Sequence, residues 1–148
     1  MLYYGRAIEH TVLVALNDIG LEQAHLTQET CKKVDHLLDF LATYPDSKIR
    51  FSTSDMILWA ESDAAYLVLP NAKSRIAGVI YLSSKLPNSK AQLPKPKPNG
   101  PILVECKTLK HVVASAAEAE TGGLFINGQT AVSIRIALEA LGQEQPPT

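Results

Sequence analysis

Apolar residues recur at intervals of three and four along RAIEHTVLVALNDIGLEQA (6–24), where Ile8, Val12, Ala15, Leu16 and Ile19 share one face. This spacing predicts a helix that Gly20 ends or bends. Thr27 is placed to cap a second helix, with Cys31, Val34, Leu37, Leu38 and Leu41 as its stripe and Tyr44-Pro45-Asp46 as its stop. The two form a helical hairpin occupying residues 1–47.

From Lys48 the period changes to two. KIRFS (48–52), MILWAESDAAYLV (56–68), RIAGVIYLSS (75–84) and ILVECKTL (102–109) read as three to four strands, the first two parted by Thr53-Ser54-Asp55. Between the last two, KLPNSKAQLPKPKPNGP carries Pro at 87, 94, 96, 98 and 101, a density that cannot continue a sheet ladder and predicts an extended, exposed loop over 85–101. SAAEAETGGLFINGQTAVSIRIALEALG then returns to helix, with Gly122, Gly123 and Gly128 as break points and Gly142 as its end. The tail QEQPPT is expected to fray. The order describes an α+β or α/β chain, a mostly antiparallel sheet with helices on it.

Charge sharpens this picture. Residues 71–117 hold eight Lys/Arg (Lys73, Arg75, Lys85, Lys90, Lys95, Lys97, Lys107, Lys110) against Glu105 alone, while the chain as a whole has a net charge of -1. A basic middle flanked by acidic ends suits a polyanionic partner, although a solvated basic loop would look the same. No apolar run reaches the ~18 residues of a membrane span and the N-terminus is unlike a signal peptide, so an intracellular protein of cytoplasm or nucleus is expected. Cys31 and Cys106 lack CxxC spacing and are expected to be reduced, buried, structural thiols.

The candidate chemistry lies in ILWAESDAAYLVL (57–69). An acid in the middle of an apolar strand is costly unless paired, hydrogen-bonded or bound to a cation, so Asp63 is either functional or wet at a strand edge. Glu118 and Glu120, at the start of the last helix, diverge by roughly 200° on a helix, so only one of them can join Asp63. A strand aspartate and a helix glutamate beside basic residues are a common way to hold Mg²⁺ for phosphodiester chemistry. His10, His25, His36 and His111 show no ligand spacing, and no GxSxG, GxxxxGK[ST] or GxGxxG occurs.

LYYGRAIEHTVLVALNDIGLEQAH, KKVDHLLDFLATYPDSKIRFSTSDMIL, ESDAAYL, KSRIAGVIYLSS and ASAAEAETGGLFIN, in this order, resemble the copia-type retrotransposon polyprotein. The matching region is the end of the reverse transcriptase, whose connection helices lead into ribonuclease H. The resemblance covers almost the whole chain and is broken chiefly by the Pro/Lys loop. It implies a ribonuclease H-like mixed sheet opening with three antiparallel strands, which cuts the RNA strand of an RNA-DNA hybrid with Mg²⁺ held by four acids. Asp63 corresponds to the first-strand aspartate and Glu120 to the first-helix glutamate, with Glu118 as the alternative.

Lys73 and Arg75, in the turn after the first strand, and Lys95 and Lys97 in the loop are then the expected nucleic-acid contacts. The third and fourth acids of the family follow the segment that resembles EALGQEQPP, so two of four are expected here. Mg²⁺ would be held weakly or not at all, the domain over 48–148 would be truncated and inactive alone, and a protein partner or oligomer would complete its sheet. The alternative is a domesticated, non-catalytic structural or nucleic-acid-binding subunit of a larger assembly.

Overall fold

The computed structural model describes residues 1–85 and 96–146. Helix α1 (Leu2–Ala7) leads through a 3-10 turn (His10–Val12) into α2 (Leu13–Leu21), and α3 (Gln28–Thr43) follows. The single helix expected over 6–24 is thus two, for a local reason. Glu9 leaves helical geometry at φ -111°, ψ 82°, and its carboxylate accepts from the Thr11 N–H.

Thr27 caps α3 as expected. Its hydroxyl accepts from Thr30 N–H at 3.2 Å while the Thr30 hydroxyl accepts from Thr27 N–H at 3.2 Å, a reciprocal box that satisfies two orphan donors. Thr30 also donates to Glu22 at 2.7 Å and Lys33 pairs with the same carboxylate, tying α3 back to the end of α2. The stripe on α3 is less covered than expected: Leu37 is buried, whereas Cys31 and Leu38 are exposed.

Strands β1 (Ile57–Leu69), β2 (Lys73–Ser83) and β3 (Pro101–Thr108) form one antiparallel sheet in the order β1-β2-β3. The protein is therefore α+β. Segment 48–52, expected as a strand, joins no ladder among the described residues. Its neighbours carry Pro96, Pro98 and Pro101, which lack backbone donors. The Asn99 side chain stands in for the missing rungs, accepting from Ser52 N–H at 2.8 Å and donating to the carbonyls of Ser52 at 3.0 Å and Leu82 at 2.8 Å.

The last helix, α4 (Ala116–Ala140), runs unbroken for 25 residues through Gly122, Gly123 and Gly128. Two of these glycines are sites of close approach, not breaks. A Cβ on Gly123 would stand 3.3 Å from both Ile76 Cγ2 and Ser62 Oγ, and one on Gly122 would stand 3.4 Å from Leu109. Gly142, at φ +84°, ends the helix as expected, donating to Glu139 O at 3.0 Å while Gln143 N–H donates to Leu138 O at 2.9 Å.

Within the tail expected to fray, Gln143 and Gln145 are tied to the start of β1. Gln143 Nε2 donates to Asp55 O at 3.1 Å, and the Gln145 amide donates to Met56 O at 3.1 Å and accepts from Leu58 N–H at 2.8 Å.

Register and contacts assign the two faces of the sheet. Ser62, Gly78 and Ile76 face α4, because Asn127 of α4 donates to Ser62 Oγ at 2.8 Å and its side chain fills the space over Gly78. By strand alternation, Trp59, Glu61, Asp63, Arg75 and Tyr81 face the other way. That face meets α2 at its β3 side, where Thr108 lies 3.5 Å from Asn17 and Arg75 pairs with Asp18.

Candidate functional site

Asp63 sits in the middle of β1 opposite Ala77, exposed, its carboxylate with no hydrogen bond or ion pair among the described residues. This place is left wet because β1 is an edge strand and α2 covers the same face only at its β3 end. Desolvation, the cost that made the acid look expensive in sequence, is therefore largely avoided.

The two glutamates are distinguished by what they do. Ser115 caps α4 by accepting from Glu118 N–H at 3.2 Å, and Glu118 Oε2 in turn accepts from Ala114 N–H at 2.7 Å. Glu118 is thus occupied in closing the first turn, where its charge also suits the helix dipole. Glu120 is exposed and makes no such bond among the described residues. Its spacing of three and seven from Gly123 and Asn127 puts it on the side of α4 that meets β1.

Asp63 and Glu120 nevertheless leave opposite sides of β1. The backbone of α4 at Gly123 approaches the Asp63 carbonyl and Ser62, while the Asp63 carboxylate projects from the far face. Among the described residues no three His, Cys, Asp or Glu side chains gather where a metal ion could be held. In this geometry the two acids that the resemblance assigns to Mg²⁺ do not form a shared donor set, and no catalytic step is derived through the ion.

The basic residues also separate. Arg75 is committed to Asp18, its side chain only 16 % exposed, and its Nε is buried with no acceptor among the described residues. Lys107 pairs with Glu105 at 2.5 Å. Lys73, first residue of β2, and Lys110 are exposed at one end of the sheet, since Leu109 N–H donates to Ser74 O at 2.8 Å. Lys85 and Lys97 are exposed at the other end, where Ser83 Oγ donates to Lys97 O at 2.8 Å. Eleven residues of β2 at about 3.3 Å each separate the two groups. Lys95 and Lys90 lie outside the described residues.

No protein-family model, curated protein or solved structure matches this chain. Among the described residues no helix is long and apolar enough to cross a membrane.

The buried partner of Glu61, the second carboxylate on the Asp63 face, escapes notice in the sequence. Tyr81, 3 % exposed, donates to Glu61 Oε1 at 2.6 Å. Burial first, and then this bond, push its phenol up to about 12. Below the ordinary value of 10.0 the phenol is protonated in both folded and unfolded chains and its contribution is complete; it is lost as pH rises through the folded value. Urea melts should therefore show stability falling by about 2 to 3 kcal/mol between pH 10 and 12, with a smaller fall in Glu61→Gln.

The two cysteines differ in exposure. Cys31 is exposed, correcting the expectation for it, and burial raises the partly covered Cys106 thiol above its ordinary value. Alkylation with iodoacetamide at pH 8 should label Cys31 first, read by peptide mass.

Proposed function

We propose that this chain is a ribonuclease H-like piece of a copia-type retrotransposon polyprotein that engages RNA-DNA hybrid and does not cut it by itself. The reading is carried by the position of Asp63 in the first strand of an antiparallel meander, followed by a Ser-capped helix that brings Glu120 back against that strand. The ordered set of sequence segments that resembles the connection helices and the opening of ribonuclease H supports it as well. The separation of the two carboxylates across β1 is the reason for proposing binding without cleavage.

Exposed Lys73 and Lys97 are the proposed phosphate contacts, at opposite ends of the sheet. Arg75 serves the fold by pairing with Asp18. Titration of a fluorescent RNA-DNA hybrid at several salt concentrations should give a linear loss of log affinity with log salt, and Lys73→Ala or Lys97→Ala should each flatten the slope by about 1. Mg²⁺ should produce no cleavage. Cleavage that Asp63→Asn abolishes would show a complete active site, and no binding at low salt would remove the nucleic-acid reading.

A second reading, a non-catalytic structural subunit of a larger assembly, is favoured by the use of Glu118 as a helix cap. Its signature would be recovery of the chain only in a large complex, with hybrid affinity absent.

A further inference from the structure

Asparagine followed by glycine occurs twice in the chain, at Asn99-Gly100 and Asn127-Gly128. In this dipeptide a backbone nitrogen reaches the preceding carboxamide carbon most freely, because glycine has no side chain to obstruct the approach. The two pairs are held differently. Gly128 lies inside α4, where its N–H belongs to the helix ladder, and Asn127 is 4 % exposed. Gly100 precedes β3, and its N–H donates to Asn99 Oδ1 at 2.8 Å. The Asn99 carboxamide is thus folded back over the peptide nitrogen that follows it.

The fold requires both members of this pair. A Cβ on Gly100 would lie 2.7 Å from Arg50 O, 2.8 Å from Phe51 Cδ1 and 2.9 Å from Ile49 Cγ2, so glycine is what lets segment 48–52 approach. Asn99 is required because its amide is donor and acceptor at once. Its Oδ1 takes the Ser52 N–H at 2.8 Å, while its Nδ2 serves the carbonyls of Ser52 and Leu82 at 3.0 and 2.8 Å. Aspartate would keep the acceptor and lose both donors. The same Ser52 N–H stands where negative charge develops on Oδ1 when the carboxamide carbon is attacked.

We propose that Asn99 is a site of spontaneous deamidation whose product frees segment 48–52 from the sheet. The Gly100 nitrogen gives its proton to hydroxide and bonds to Asn99 Cγ. The Cγ–Nδ2 bond then breaks, and Nδ2 takes a proton from water and leaves as ammonia, which returns the hydroxide. A second water opens the cyclic imide at either carbonyl, giving aspartate or isoaspartate without oxidation or reduction. The new carboxylate faces the carbonyls of Ser52 and Leu82, acceptor against acceptor. Segment 48–52 lies between α3 and β1, so the event irreversibly loosens the join between the helices and the sheet. It uses neither Lys73 nor Lys97 and is independent of the hybrid-binding reading.

The full chain would be incubated at pH 8 and mapped by peptide mass, with isoaspartate counted by enzymatic methylation. Asn99 should convert at least about tenfold faster than Asn127, which reacts only when α4 opens. Anion exchange separates the more acidic product. Trypsin should cut that product after Lys48 or Arg50 at least about tenfold faster than the fresh chain, because two lost hydrogen bonds raise the open population by that order. Asn99→Asp should show the same fast cleavage, with folding established by circular dichroism; if it unfolds, the aged native chain carries the measurement. Asn99→Gln closes a ring far less readily and should form no acidic product at residue 99. Equal conversion of Asn99 and Asn127, or a deamidated chain cut no faster than the fresh one, would overturn the proposal.

Discussion

Gly78→Ala is expected to destabilise the protein by about 2 to 4 kcal/mol, in spite of alanine's better intrinsic preference for ordered structure. A Cβ at this position would lie only 2.6 Å from Asn127 Cγ, within the amide group itself. Asn127 is 4 % exposed and donates to both Ser62 Oγ and Ala77 O at 2.8 Å, so it cannot swing aside without losing two bonds to the sheet. Displacement would leave a buried amide unpaired, the costly half of the hydrogen-bond asymmetry. Equilibrium denaturation of Gly78→Ala, Asn127→Ala and the double variant checks the account. The double variant should be more stable than Gly78→Ala alone, because the obstructing amide is gone.

This pin between α4 and the sheet shows where sequence reasoning succeeds and where it stops. Period-two alternation located β1, β2 and β3 to within a few residues, because each has a face that must be buried. The same alternation in KIRFS was misleading. A strand also needs a partner with free donors, and the prolines around Asn99 remove them. Gly122, Gly123 and Gly128 were read as helix breakers from local propensity, yet tertiary contact at Ile76, Ser62 and Leu109 explains two of them. A propensity near 1 kcal/mol per glycine is smaller than the packing it permits.

The candidate site was legible in residue identity and not in geometry. Asp63 stood out as an acid in an apolar strand, but its wetness depends on β1 being an edge, which sheet order alone determines. Helical spacing said that only one of Glu118 and Glu120 could join Asp63, without saying which. Ser115, three residues before Glu118, was the available signal that this acid closes a cap. Arg75 looked like a free cation because nothing local reveals Asp18, 57 residues away.

The packing that sets α4 on the sheet leads to the second large effect. Ile76→Ala should cost about 3 to 4 kcal/mol, since its side chain is 1 % exposed and lies beneath the backbone of α4 at Gly123. The loss combines the transfer of the removed carbons with the cavity they leave, and a helix held by its own backbone hydrogen bonds closes that space only in part. Gly123→Ala in the native background sets a helix-propensity gain of about 1 kcal/mol against a tight 3.3 Å approach to Ile76 Cγ2 and Ser62 Oγ. Once Ile76 is alanine, one of those obstacles is gone and the new methyl partly fills the void. The same glycine substitution should therefore be more favourable by about 1 kcal/mol in the Ile76→Ala background, a coupling that a double-mutant cycle in urea measures directly. Strict additivity would mean that α4 does not rest on Ile76 at Gly123, and the position of Glu120 over β1 would then need another support.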